Sequence, residues 1–354
     1  MDDITPFLQQ LISLPGLSGH EAPVRDLIAA KWHPLVDELS VSKLGSLHGL
    51  RRAAGMAQAP SVLFAAHMDA IGLIVTGSVD GFLRVTQIGG IDPRILPGQA
   101  VTVHGQRDLP GIAVLWPDRL LGTGHKNKPP QLAQILIDVG LPVSEVDQLV
   151  AVGDLVSFAS TPQQLGSGIL AGHSLDNRAS VAALTLCLQE LHGVALRWNL
   201  WMAATVQEEI TLAGALTSPF AVEPDVVVAV DVTFAKGPGA NDYRTFAMEK
   251  GPTLGIGANI HPYLFKTFKA LAETAEIPYA VEPLPKSSGT DAEAMQLVMD
   301  GIPSAVISIP IRYMHTPVEM VAISDIQRTA RLLAAFIRQL NADTLAELTR
   351  EMQP

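Results

Sequence analysis

Cysteine is nearly absent from this chain of 354 residues. The one thiol, Cys187, excludes an internal disulfide and offers no thiolate cluster to a metal. It lies in the apolar helical pattern Ser180-Val-Ala-Ala-Leu-Thr-Leu-Cys187, where an ordinary core residue is expected. Long apolar runs are missing too: none reaches the roughly 18 to 20 residues that span a bilayer. The start, Met1-Asp-Asp-Ile-Thr-Pro6, lacks the basic and then apolar regions of a secretory signal, so a cytoplasmic location is expected. Basic residues are scarce. Twenty-four Lys and Arg against 35 Asp and Glu leave a formal charge of -11, which disfavours nucleic acid and anionic membranes as partners. What remains is 48% apolar content, enough for one large or two smaller domains acting on small molecules or peptides.

The first 35 residues read as helical. Ile4 to Leu14 is amphipathic, Pro15-Gly16 breaks it, and Ser18-Gly-His-Glu21 offers a capping box to a helix through Lys31. Four runs, Ser61 to Ala66, Leu200 to Val206, Asp225 to Val232 and Ser304 to Ile309, lack polar alternation, as strands covered on both faces do. Helical patterns lie at Arg178 to Leu191, Tyr263 to Ala275 and Ser324 to Leu340, the last with Ser324 as its N-cap. This predicts an α/β fold with a mostly parallel sheet. Between Ile71 and Pro162 the texture changes to short strands with tight turns. Gly72 to Gly77 and Phe82 to Thr86 flank an Asp80-Gly81 hairpin signal, further strands read at Ala100 to Val103, Gly111 to Leu115 and Asp154 to Ser160, and a helix reads near Gln131 to Asp138. The reading is of a small β-rich domain, 71–163, inserted between two parts of one larger domain, 1–70 and 164–354.

Functional groups in an open α/β sheet gather beyond the carboxyl ends of its strands. Here the four apolar runs lead to His67 and Asp69, Glu208 and Glu209, Asp231, and His315, while Asp176 precedes an apolar helix. Singly, each has an ordinary role: loop histidine, helix cap, turn former, acidic helix start. Together, two imidazoles and the carboxylates of Asp176, Glu209 and Asp231 suit two divalent ions sharing one carboxylate, with Asp69 and Glu208 left for orientation and proton transfer. Imidazole with carboxylate and no thiolate points to hydrolytic zinc, cobalt or manganese chemistry. The other histidines carry less weight. His33, His48, His104, His192 and His261 stand in polar or turn-like contexts where surface positions are the default, His20 sits within the capping box, His125 belongs to a basic loop, and His173 is near enough to Asp176 to line the site.

The segments Leu14 to Glu21, Ala66 to Leu73, Ile88 to Gly90, Ser174 to Arg178, Thr205 to Glu209, Val230 to Thr233, Gly289 to Ala292 and Ile309 to His315 resemble, in this order, the dinuclear metalloaminopeptidases of the tetrahedral, or glutamyl and deblocking, type (metallopeptidase family 42). The resemblance covers nearly the whole chain. It implies that His67 and Asp231 bind one metal, Glu209 and His315 the other, and that Asp176 bridges. It further implies Glu208 as general base, Asp69 as the residue that orients His67, two zinc ions (cobalt or manganese as the other options), short peptides as substrates, and dimers that build a tetrahedral dodecamer through the inserted domain. His173 and Asn177 depart from the family's usual Lys and Asp, and the stretch from Val114 to His125 departs from its usual pattern. Gly289, Thr290 and Asp291 are expected at the substrate pocket. Two other readings fit less well: a glycoside hydrolase of endoglucanase type leaves the histidines without a task, and a silent scaffold leaves a filled ligand set unused.

Overall fold

The computed structural model describes residues 3–56, 58–117 and 128–351. His125 and most of the divergent stretch after Val114 lie outside the described residues. Two sheets organise the chain. Eleven strands form the larger one: β1 (Glu38–Val41), β2 (Leu47–Arg51), β3 (Ser61–His67), β10 (Gln163–Leu165), β11 (Ile169–Gly172), β12 (Asn199–Thr205), β13 (Val226–Phe234), β14 (Thr253–Gly257), β15 (Ala280–Leu284), β16 (Ser304–Arg312) and β17 (Glu319–Ala322). Along β1-β2-β12-β3-β13-β16-β17-β11-β10 only the middle, β12-β3-β13-β16, is parallel. The expected mostly parallel sheet is therefore a mixed one. β1, β2, β17, β11 and β10 attach antiparallel, while β14 pairs antiparallel with β16 and parallel with β15. The flanking strands are only three to five residues long, too short for the apolar run that marks a long strand covered on both faces.

Burial explains the middle. Every residue of β3 is buried, and Val226 to Thr233 of β13 likewise. Helices cover both faces. On one side α1 (Thr5–Ser13), α2 (Ala22–Trp32), α4 (Leu175–Glu190), α7 (Pro262–Thr274) and α9 (Ile323–Gln339) enclose a core that includes Phe64, Leu184, Cys187 and Phe336. On the other, α6 (Ala213–Val222) and α8 (Asp291–Met295) cover Leu63, Ala203, Val227 and Met295. Apart from these layers, α3 (Val143–Leu149) packs with the smaller sheet and α5 (Glu208–Thr211) lies beside the site. Among the described residues no helix is long and apolar enough to cross a membrane.

The second sheet is a closed barrel, β4-β5-β8-β7-β6-β9, made of β4 (Gly72–Val79), β5 (Phe82–Ile88), β6 (Ala100–His104), β7 (Asp108–Leu115), β8 (Ile135–Asp138) and β9 (Leu155–Phe158). Closure removes exposed strand edges, and the barrel has its own core of Leu73, Val101, Ala113 and Ile137. The helix expected over Gln131 to Asp138 is a single 3-10 turn, Leu132–Gln134, followed by β8. Ile135 and Ile137 alternate inward there, a two-residue period too short to outweigh a helical reading in sequence. Two caps also differ. Glu21 takes the Gly19 amide without making a reciprocal box with Ser18, whose hydroxyl donates to Asp69 instead. Helix α9 begins at Ile323, with Ala322 before it, so Ser324 lies inside the first turn.

Candidate metal centre

The four parallel strands bring their carboxyl ends to one edge, and the predicted residues converge there. β3 ends at His67, Asp231 sits within β13, α5 follows β12 with Glu208 and Glu209, and His315 follows β16. Three turns that deliver these groups hold non-glycine residues in the left-handed region: Ser174 (φ 66), Gln207 (φ 57) and His315 (φ 61). Such conformations cost about 1–3 kcal/mol each and persist where surrounding contacts enforce them. At the start of α4 the backbone is non-helical at Asp176 and Asn177. Packing fixes it: Asn177 donates to the Val230 carbonyl (2.9 Å), Ser180 to the Asp231 carbonyl (3.1 Å), and the Asp176 amide to Glu319 (3.1 Å).

Asp176 stands between the two imidazoles. Its Oδ1 is 3.1 Å from His67 Nε2 and its Oδ2 is 3.3 Å from His315 Nε2. Around His67 Nε2 also lie Glu208 (3.7 Å) and Asp231 (3.9 Å), and His315 Nε2 is 3.3 Å from Glu209. The far nitrogens face acceptors. His315 Nδ1 is 2.8 Å from the Gly90 carbonyl, and His67 Nδ1 is 3.3 Å from the Asp69 carbonyl and 3.4 Å from its carboxylate. A carbonyl oxygen only accepts, so His315 Nδ1 carries the proton and a neutral ring turns its Nε2 lone pair toward carboxylates. Lone pair against carboxylate is repulsive unless a proton or a cation lies between. The donor atoms of His67, Asp176 and Glu209 lie close enough together to share an ion, as do those of His67, Glu208 and Asp231. The residues therefore fit divalent cations.

The electrostatics agree. Burial pushes Glu208 up to about 10, and Asp231, Asp291 and Glu209 add to the rise. Asp231 is held well above the carboxylate range by burial and by Asp176, and Glu209 is raised by burial. Burial would lower the imidazoles, yet neighbouring carboxylates prevail: His315 rises to about 11 and His67 well above its usual range. Burial would raise Asp176 and Asp69, but Asp176 is lowered by both histidines, and Asp69 by His67 and by hydrogen bonds from Ser18 and the Glu208 amide. A cluster that must otherwise hoard protons is one that divalent cations neutralise.

A cavity of about 840 Å³ opens beside the cluster, lined by Glu208, Asp231, Thr233, Glu282, Gly289 and Thr290 among others. Asp291, expected at the substrate pocket, is buried and does not line it. Thr205 donates to its carboxylate at 2.6 Å, and burial raises it to about 6. Other histidines differ from expectation as well. His48 is buried against Ser218 and His261 is buried as the cap of α7. His173 is buried edge-on to Phe158 and does not line the cavity. Sequence reasoning passed over Glu319, which is buried and accepts the Asp176 and His315 amides. Its signal was a carboxylate four residues past His315. It also passed over Arg178, whose buried guanidinium donates to the carbonyls of Leu11, Leu14, Gly16 and Met68.

Comparison with known proteins places this geometry. Residues 48–332 match the model of the M42 glutamyl aminopeptidase family. A lysyl aminopeptidase from Pyrococcus furiosus is 35% identical over 340 residues, 94% of this chain and 96% of that one. The structure of a TET aminopeptidase from a marine sediment thaumarchaeon superposes with a TM-score of 0.92 at 28% identity, covering 98% of this chain and 99% of its own. A TET peptidase from Pyrococcus horikoshii, described as assembling into a tetrahedron or a large octahedral shell, gives 0.83 at 28% identity over 96% of this chain and 100% of its own.

Proposed function

This chain belongs to the M42 glutamyl aminopeptidase family, and from that premise we propose how its residues remove amino-terminal residues from peptides. Two divalent ions would be held, one by His67 and Asp231 and the other by Glu209 and His315, with Asp176 available to both. The carrying observation is that Asp176 turns one oxygen to each imidazole. Nitrogen and oxygen donors without thiolate suit zinc, with cobalt and manganese as alternatives. When bound, such ions polarise the scissile carbonyl and make water a better nucleophile at neutral pH.

The protein's own steps follow. The acidic cavity beside the cluster attracts the substrate's free ammonium group, and Gly289 and Thr290 bound its wall. Glu208 accepts the proton of the attacking water at a carboxylate oxygen as the new C–O bond forms, then returns it to the leaving amine as the C–N bond breaks. Asp69 fixes the His67 ring from its Nδ1 side and is itself fixed by Ser18 and the amides of Glu208 and Glu209. Glu208→Gln is expected to lower kcat by about 10²- to 10⁴-fold with both ions still bound. Near-native rates would remove Glu208 from the reaction. Loss of an ion would make it a ligand, as its place near His67 and Asp231 allows.

We also read residues 71–163 as one inserted domain whose barrel supports assembly of dimers into a dodecamer. Support comes from the barrel's separate core and from the shells described for the Pyrococcus horikoshii relative. Light scattering of the purified protein tests it: a mass near twelve chains is expected, and a monomer would refute it. The buried free Cys187 suits the cytoplasm.

A further inference from the structure

The geometry points to Glu282 as the residue that selects amino-terminal residues with a cationic side chain, lysine or arginine; the inference rests on the aminopeptidase reading above. The placement follows from strand register. Asp231 on β13 lies opposite Ser308 on β16, and Ser308 lies opposite Thr253 on β14. Residues paired in register point to one face, so this row continues the floor of the site across the sheet. β14 then pairs with β15, which carries Glu282 opposite Gly255, two residues past Thr253 and on the same face. Thr233 is two residues past Asp231, again on that face.

The two threonines hold the carboxylate. Thr233 donates to Oε1 at 2.6 Å and Thr253 donates to Oε2 at 2.5 Å. Hydroxyls that donate leave the carboxylate as an acceptor, and about half of its roughly four lone-pair positions stay free. Glu282 lines the cavity and has no ion-pair partner among the described residues. An anchored, part-buried carboxylate with open acceptor positions is a receptor for an ammonium or guanidinium group.

The other charges of the cavity leave that assignment standing. Arg244 lines it but is exposed and engaged with Asp242. Lys286 is exposed, and Glu293 accepts the Gly289 amide at one oxygen only, whereas both Glu282 oxygens are fixed by hydroxyls. Of the two glutamates that line the cavity away from the metal cluster, Glu282 and Glu293, only Glu282 is held at both oxygens. Reach agrees as well: two residues along β13 from Asp231 to Thr233 span about 6.6 Å, close to the roughly 6 Å from Cα to terminal nitrogen of an extended lysine, given bonds near 1.5 Å.

The test compares kcat/KM of the metal-loaded full chain on lysyl, arginyl, leucyl and glutamyl p-nitroanilides, for the parent, Glu282→Gln and Glu282→Lys. The parent is expected to favour lysyl and arginyl substrates. Glu282→Gln should lower the lysyl-to-leucyl ratio by about 10- to 100-fold, and Glu282→Lys should turn the lysyl-to-glutamyl ratio toward glutamyl. Metal stoichiometry should match the parent in both, which a collapsed site would not show. A parent that favours glutamyl substrates, or ratios unmoved by either variant, overturns the inference and leaves the aminopeptidase reading intact. A metal-loaded parent that hydrolyses none of the four overturns both.

Discussion

Asp176 shows how far a single side chain depends on its setting. In sequence it has the position of an ordinary helix cap, and only the two imidazoles at its two oxygens make it a bridge between subsites. The proposed ligands His67, Glu209, Asp231 and His315 were legible because each stands in or just after a buried apolar run, toward a strand's carboxyl end. Glu282 was not legible: its five-residue strand contains Pro283 and pairs with the glycine-containing β14, so no periodic signal marks it. His48 misled for a related reason. It stands in a turn-like stretch between Gly45 and Gly49, yet β2 lies against β12, and the ring is enclosed next to Ser218. Burial lowers His48 to about 4. The folded state thus holds it neutral while the unfolded chain, near 6.5, takes a proton first, so its contribution is full above about pH 6.5 and is lost as pH falls toward 4. By pH 5 the loss is about 2 kcal/mol. Urea unfolding of the parent and His48→Gln at pH 7 and pH 5 should show the smaller drop in the variant; equal drops would clear His48 of the effect.

Among elements, the four central strands were read within a few residues of their observed limits because covered strands leave continuous apolar runs. The short strands outside that middle leave none of comparable length, which is why β1, β2 and β17 escaped notice. The most consequential unread element contact belongs to α4. Its Arg178 is fully buried and bonds four carbonyls, joining the end of α1 and the turn after it to the peptide between His67 and Asp69. Burial lowers this guanidinium to about 10, still charged at neutral pH. Gly16 is small by necessity here, since a Cβ would stand 2.6 Å from the Arg178 Nη2. Arg178→Leu should destabilise the chain by about 3–5 kcal/mol, because buried carbonyls lose their donors and the nearby carboxylates lose a countercharge. Denaturant titration reads that loss. Metal affinity should fall with it, since the Met68 carbonyl lies between two site residues; a variant of parental stability would show that water replaces the guanidinium.

For the whole molecule, protonation and metal loading are one equilibrium. Without cations, Glu208 (about 10) and His315 (about 11) hold protons at neutral pH, and burial shifts Asp231 and Glu209 upward as well. Binding cations must expel them, so affinity should rise with pH and each chain should release more than about one proton on loading at pH 7.5. Calorimetry of zinc binding in two buffers of different ionisation enthalpy measures the number directly, and heats independent of buffer would contradict the linkage. Chelation should lower Tm reversibly, because cations that bind only the folded chain stabilise it.

The Gly90 carbonyl that receives His315 Nδ1 comes from the loop after β5, inside the barrel's part of the chain. A side chain there would press on the ring: a Cβ at Gly90 would stand 3.1 Å from that nitrogen. The barrel of this chain is thus not an interchangeable cassette. A chimera inherits a working ligand only if the donor loop returns a bare backbone oxygen to the same point, and a minimal enzyme cut down by splicing β3 to β10 would lose the prop behind one of its imidazoles.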